Sequence, residues 1–258
     1  MKFLLPILAS LLVMSCRSTP PYPPQHAQPY RLADRNGIPS DISAAADITY
    51  SRGSSAERII ALTFDDGPHP TNTPRLLNIL RQYDVPATFF VIGNLVDRYP
   101  AIARRIVEEG HEIGNHTYTH ANLSKLPNHA LHQELQKGRE AIIRATGTAP
   151  QILRPPYGAL KTQQRLYAKY NFGYPTILWN VDPLDWKRPG VQVVANRLVA
   201  GATNGGILLA HDLHSTTVDA IPSVLSRLKA QGYRFVTVSQ LINRAEALKA
   251  ATPVPAQR

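Results

Sequence analysis

Cysteine is almost missing from this chain, with Cys16 the single one in 258 residues. That excludes an intrachain disulfide and a multi-cysteine zinc site. Acidic side chains are also in short supply, Asp+Glu 18 against Lys+Arg 28, for a formal net charge of +10. Such a balance favours polyanionic surroundings, whether nucleic acid, anionic lipid or cell-wall polymer. No helix-turn-helix, RNA-binding or zinc-finger pattern accompanies the basic residues, so nucleic acid is set aside as a partner. The apolar run at residues 3–14 is too short to anchor a chain across a bilayer. No internal charge run or low-complexity break divides the remainder. One sizeable core of α/β size is therefore expected.

What is present at the start has the order of an export signal. Met1-Lys2 gives a positive beginning, the apolar run follows, and small Ser15 precedes Cys16. This resembles a bacterial lipoprotein signal, with residues 1–15 removed and Cys16 lipidated; Met14 is unusual for that pattern, and an ordinary secretory cleavage nearby is the alternative. Residues 16–55 read as a Pro-rich tether (Pro20, Pro21, Pro23, Pro24, Pro29) and an irregular segment. Residues 56–248 form the expected domain, and 249–258 a flexible tail. Within the domain, strands at 58–64, 87–92, 111–115, 152–154, 176–181, 206–210 and 235–238 alternate with helices at 73–83, 101–109, 131–146, 161–170, 191–200, 218–231 and from 239. Alternation of this kind means βαβ units around a parallel sheet, here a barrel or near-barrel of about seven strands. In such folds the chemistry collects at the C-terminal strand ends.

The residues at those ends are chemically loaded. Thr63-Phe64-Asp65-Asp66-Gly67-Pro68 places adjacent carboxylates where the first strand stops. Their mutual repulsion is relieved if a divalent metal neutralises one and leaves the other as a base, although an Asp-Gly-Pro turn with solvated acids accounts for the letters equally well. His116-Thr117-Tyr118-Thr119-His120 spaces two imidazoles four apart, which a helical turn would bring to one ion; two surface histidines are the plainer alternative. Arg154-Pro155-Pro156-Tyr157-Gly158 could fix a guanidinium against a carboxylate and aim an amide, or be only a stiff loop. Trp179 to Trp186 mixes acids with aromatics, as carbohydrate sites do, unless Trp186 is simply core. Leu208-Leu209-Ala210 runs into His211-Asp212, where a histidine can serve as general acid or as a satisfied structural group.

Together and in this order, these five stretches resemble the motifs of the polysaccharide deacetylases of carbohydrate esterase family 4, the NodB homology domain, over residues 58–242. The resemblance implies a distorted (β/α) barrel with fewer than eight repeats. It implies that Asp66, His116 and His120 bind a divalent metal, with Zn²⁺ expected and Co²⁺, Ni²⁺ or Mn²⁺ as alternatives. By the same likeness Asp65 is the base toward the attacking water and Arg154 holds it in place. His211 protonates the departing amine, and Asp185 orients His211. The backbone N–H of Tyr157 meets the oxyanion, while Tyr157, Trp186 and Leu209 line the sugar groove. Asp182 is read as structural, and His69, His111 and His214 are given no role.

The expected function is removal of N-acetyl groups from a GlcNAc-containing polymer by a monomeric, exported protein held to the membrane by its N-terminal lipid, or else secreted. Peptidoglycan is the first candidate, followed by chitooligosaccharide or exopolysaccharide and by acetylxylan. A non-catalytic wall-binding lipoprotein and a glycoside hydrolase are the rivals of other classes.

Overall fold

The computed structural model describes residues 48–251. The expected signal segment, Cys16 and all but the end of the tether lie outside the described residues. The chain order is β1 (Thr49–Tyr50), β2 (Ile59–Gly67), α1 (Asn72–Gln82), β3 (Thr88–Val91), α2 (Gly93–Arg98), α3 (Pro100–Glu108), β4 (Glu112–Asn115), α4 (Asn128–Thr146), α5 (Thr162–Phe172), β5 (Thr176–Ile177), α6 (Val191–Gly201), β6 (Gly206–His211), α7 (Ser215–Ala230), β7 (Arg234–Phe235) and α8 (Val238–Ala251). Among the described residues no helix is long and apolar enough to cross a membrane.

All strand pairings are parallel. The order is β4-β3-β2-β6, with β7 also on β2 and β1 on β5. Single bridges extend the path from Asn115 to Leu153, from Leu153 to Thr176, and from Val181 back to Leu208 of β6. The result is the expected barrel in a distorted form, with part of its wall carried by isolated bridges.

Seven strands are present among the described residues, but they are not the seven expected. Residues 152–154 supply only the two isolated bridges at Leu153, because Pro150, Pro155 and Pro156 crowd the segment with residues that have no N–H to give a ladder. The segment expected as a strand over 176–181 is regular only at Thr176–Ile177. The additional strand, β1, falls inside the stretch expected to be irregular tether and pairs with β5. Val238, expected in the last strand, instead begins α8. Thr237 Oγ1 accepts from the Gln240 amide while Gln240 Oε1 accepts from the Thr237 amide, a capping box that starts a helix. That helix also takes in residues 249–251 of the expected tail. The short α2 was not expected; Pro100 at the start of α3 separates the two helices.

Side-chain alternation along β2 sorts the core into two layers. Ile60, Leu62 and Phe64 point outward into the layer packed by Leu76, Leu77, Ile106, Leu198 and Leu225 of the surrounding helices. Ile59 and Ala61 point inward with Phe90, Ile152, Ile177 and Ile207, and Val238 and Leu241 of α8 join this inner cluster. The inward series continues upward through Thr63 to Asp65, both buried, so the barrel interior changes from apolar to polar toward the strand ends. That gradient places the site.

Candidate metal centre and active site

Consecutive residues of a regular strand point to opposite faces, so Asp65 and Asp66 should not share a cavity. They do, because β2 breaks its register against β3 between Asp65 and Gly67 and Asp66 takes φ of 72°. The irregularity turns Asp66 inward beside its neighbour, a strained arrangement of the kind found at functional sites. Gly67 is required at the next position: a Cβ there would meet the Asp212 carboxylate at 2.5 Å.

Asp66 Oδ1 lies 3.3 Å from His116 Nε2 and 3.1 Å from His120 Nε2. One ligand atom from each of the three residues falls within 4.8 Å of the others. The histidines do not converge by sharing a helical turn, as their spacing suggested. They sit in a loop beyond β4 in which Thr117 and His120 have φ of 67° and 63°. The loop is held from outside. Asn115 Oδ1 accepts from the Thr117 amide at 2.8 Å, and Glu134 of α4 accepts from the amides of Tyr118 and Thr119 at 3.0 and 2.8 Å and from the Thr119 hydroxyl at 2.9 Å.

The donor set fits a divalent cation. His116 Nδ1 is 2.7 Å from the Arg154 carbonyl oxygen, which can only accept, so the proton sits on Nδ1 and the Nε2 lone pair faces Asp66. Asp66 Oδ1 is buried and has no hydrogen-bond partner among the described residues. Two lone-pair atoms directed at one another in a buried site call for a positive charge between them. Burial pushes the Asp66 carboxyl up, and positive charge on the imidazole side more than reverses this and holds it well below the usual carboxylate range, whether that charge is a proton on the rings or a cation between them.

Asp65 stands beside this set, its Oδ2 3.9 Å from His116 Nε2. Its Oδ1 accepts from Arg154 Nη1 at 2.7 Å. Arg154 is fully buried, donates also to Thr63 Oγ1 at 2.7 Å and to the Leu178 carbonyl at 3.2 Å, and lies 4.1 Å from the centroid of the Phe90 ring. Burial lowers its pKa, opposed by the charge of Asp65. The expected Arg154–Asp65 partnership is therefore present, with Thr63 as a participant that its short hydroxyl side chain gave no reason to single out.

His211 ends β6. Its Nδ1 is 2.8 Å from Asp185 Oδ1, and its amide donates to Asp185 Oδ2 at 2.8 Å. Thr217 Oγ1 also donates to that carboxylate at 2.9 Å. Burial alone would push the His211 imidazole down, but the hydrogen bond and charge of Asp185 raise it to about 9. An acceptor-only carboxylate at Nδ1 leaves Nε2 as the working nitrogen. Asp212 is fully buried, accepts from the Thr73 hydroxyl, and is pushed by burial up to about 7, tying the end of β6 to the start of α1.

Asp65, Asp66, His116, His120 and His211 face a cavity of about 430 Å³ together with Tyr157, Trp179, Asp182, Trp186 and Leu209. Every expected site residue is thus in or directly behind one cavity, apart from Cys16, which lies outside the described residues. Tyr157, with φ of 62° after two prolines, and Trp186 are 68% and 52% exposed, so both rings are open to a ligand. Asp182, which also lines the cavity, accepts from the Leu184 amide through Oδ1 at 2.7 Å. His111 is buried, accepts from the Ala87 amide and is held near pKa 4 by burial, far from this cavity's business.

Glu134 is the residue that sequence reading passed over with the largest consequence. Nothing in its own helix marks it, since its partners lie 15 and 16 positions away. Glu134→Ala is expected to weaken divalent-cation binding by roughly ten- to a hundredfold while leaving thermal unfolding of the cation-free protein nearly unchanged. Equilibrium dialysis against Zn²⁺ measures it.

Residues 52–177 match the sequence family described as polysaccharide deacetylase. A peptidoglycan-N-acetylglucosamine deacetylase of Bacillus cereus is 44% identical over 191 residues, covering 72% of this chain and 89% of that protein. The peptidoglycan-N-acetylglucosamine deacetylase PgdA of Listeria monocytogenes is 42% identical over 182 residues, 70% of this chain but 38% of the Listeria protein, so this chain spans well under half of that relative. A crystal structure of a peptidoglycan N-acetylglucosamine deacetylase superposes with a TM-score of 0.73 at 35% identity, covering 76% of this chain and 93% of that one. With the fold, the clustered site residues and these matches in agreement, the chain belongs to the polysaccharide deacetylase family.

Proposed function

We propose that this protein is a divalent-cation-dependent carbohydrate N-deacetylase that hydrolyses the N-acetyl groups of GlcNAc residues in peptidoglycan. The observation that carries the proposal is the pairing of an Asp66, His116 and His120 set with a second carboxylate, Asp65, left outside it. Those three residues would hold the cation, Zn²⁺ by the preference of two imidazoles and one carboxylate, with Co²⁺, Ni²⁺ or Mn²⁺ as substitutes. Such a cation supplies the positive charge that polarises the acetyl carbonyl and acidifies the attacking water.

The chain's own groups divide the proton work. Asp65, fixed by Arg154, accepts a proton as the water oxygen bonds to the acetyl carbon. The backbone N–H of Tyr157 donates to the carbonyl oxygen as charge gathers there. His211, charged through its partnership with Asp185, gives its Nε2 proton to the amide nitrogen as the C–N bond breaks. Acetate and a free amine result. Trp186 and Tyr157 offer aromatic faces to the sugar, and Leu209 forms the apolar floor.

Peptidoglycan is supported by the names of the relatives and by a formal charge of +10, which suits an anionic wall. A lipid on Cys16 would keep the domain beside that wall, with the proline-rich segment as its spacer; the protein would then be a membrane-anchored, exported monomer. Chitooligosaccharide, exopolysaccharide and acetylxylan remain the other substrates to test. Acetate release from peptidoglycan, chitooligosaccharides and acetylxylan, with and without EDTA, tests the proposal. Release from peptidoglycan that stops on chelation and returns with Zn²⁺ is expected; no release from any substrate with the cation restored would end the enzyme reading, and release that survives chelation would point to other chemistry.

The His211 and Asp185 pair carries its own prediction. A general acid must be protonated, so activity falls as pH rises through its pKa, and the pair places that alkaline limb high. Asp185→Asn removes the charge that raises His211 and is expected to move the limb to lower pH by about one unit or more. A kcat-pH profile with an unmoved alkaline limb would contradict the assignment.

A further inference from the structure

A second cavity, of about 470 Å³, adjoins the first and shares Asp66 and His120 with it. None of its remaining lining residues has been used by the chemistry above. Its apolar surface comes from Pro68, Ile92, Leu95 and Leu213, and its polar groups are Arg98, His69 and Tyr99.

Two of those groups, His69 and Arg98, present donors. His69 Nδ1 accepts from the backbone amides of Thr71 and Asn72 at 3.2 and 3.1 Å, which puts the imidazole proton on Nε2 and makes that edge a donor. Arg98, the last residue of α2, is exposed, lies 6.0 Å from the centroid of the Tyr99 ring, and makes no ion pair among the described residues. The neighbouring acid Asp97 does not neutralise it, since Asp97 is engaged by Arg144 at 2.8 Å and by the Tyr118 hydroxyl at 3.2 Å. A guanidinium near an aromatic ring, lining one cavity with an imidazole donor and apolar side chains, suits a sugar that carries a carboxylate.

We infer that this cavity is a subsite for a carboxylate-bearing sugar next to the residue being deacetylated, with Arg98 pairing its carboxylate. The inference rests on the peptidoglycan reading, in which each GlcNAc is flanked by N-acetylmuramic acid; its lactyl carboxyl is an amide where a stem peptide is attached and a free carboxylate where the peptide has been removed, so the subsite favours peptide-free strands. Chitooligosaccharides present the same acetamido groups without that charge. Arg98 thereby becomes a specificity-determining residue that discriminates between two substrates the metal centre itself treats alike.

The test compares two substrates of equal length, a peptide-free GlcNAc-MurNAc tetrasaccharide and chitotetraose, in the full-length protein loaded with Zn²⁺. Arg98→Ala is expected to lower the ratio of kcat/KM for the first over the second by about tenfold, mainly through KM, with Arg98→Lys falling between. The preference of the unaltered protein should likewise shrink when the lactyl carboxylate is methyl-esterified. A ratio unchanged by Arg98→Ala, or an equal loss on both substrates, would overturn the subsite. Binding of the two tetrasaccharides to Asp65→Asn protein, with and without Arg98→Ala, is measured by calorimetry alongside. Should the unaltered protein release acetate from neither substrate, the deacetylase reading fails by itself, while a charge-selective loss of binding still supports the subsite and its absence removes it.

Discussion

Asp65→Asn is expected to bind one divalent cation as the unaltered protein does and yet to release acetate about 10²- to 10⁴-fold more slowly, the usual contribution of a positioned base. Asp66→Ala is expected to lose the cation itself. The two residues are neighbours in the chain, of one chemical type, and open to one cavity, so composition alone predicts equal effects. Geometry separates them. Asp66 Oδ1 faces both imidazole Nε2 atoms and has no other partner, whereas Asp65 is taken by Arg154 on one oxygen and is 3.9 Å from His116 Nε2 on the other. Asparagine at position 65 keeps an oxygen for the Arg154 hydrogen bond while giving up the basicity. Cation content by elemental analysis after dialysis, set beside single-turnover acetate release, reads the two properties separately. Equal loss of cation in both variants would contradict the division of labour.

Arg154→Met is the substitution with the largest expected effect on the fold. The Asp65 carboxylate is 3% exposed, and Arg154 is its buried counter-charge as well as the donor that satisfies Thr63 and Leu178. Methionine fills much of the volume but leaves a buried anion unpaired, at a cost of roughly 3 to 5 kcal/mol. For a domain of this size that corresponds to a fall in Tm of about 10 °C or more. Combining it with Asp65→Asn removes the stranded charge, so the double variant should recover part of the lost stability even though it remains inactive. Calorimetric unfolding of the four proteins tests this; additive losses would mean that the guanidinium acts through packing against Phe90 rather than through the carboxylate.

Much of this site was legible beforehand because its information is local. The run Ile59-Ile60-Ala61-Leu62 before two aspartates marks a strand end, and apolar runs likewise lead to His211 and to Arg154. Local signals misled where a tertiary partner outweighed them. His116 and His120 have helical spacing but lie in a loop with two left-handed residues, held open by Glu134. Ile152-Leu153-Arg154 has strand composition, yet prolines on both sides reduce it to isolated bridges at Leu153. Thr49–Tyr50 has little pattern of its own and becomes a strand because β5 offers it an edge.

The amino-acid order by itself determined the alternation of strands and helices, the parallel sheet, and the set of residues standing at the strand ends, since all of these follow from spacing along a few neighbouring positions. Only the tertiary structure decided that Asp66 turns to the same side as Asp65, that Arg154 reaches across 89 positions to hold Asp65, and that Arg98 lines a second cavity with no ion pair among the described residues. A break in strand register, a hydrogen bond between residues 89 positions apart and a surface charge left without an ion pair are each set by what packs alongside, and no stretch of neighbouring residues contains that information.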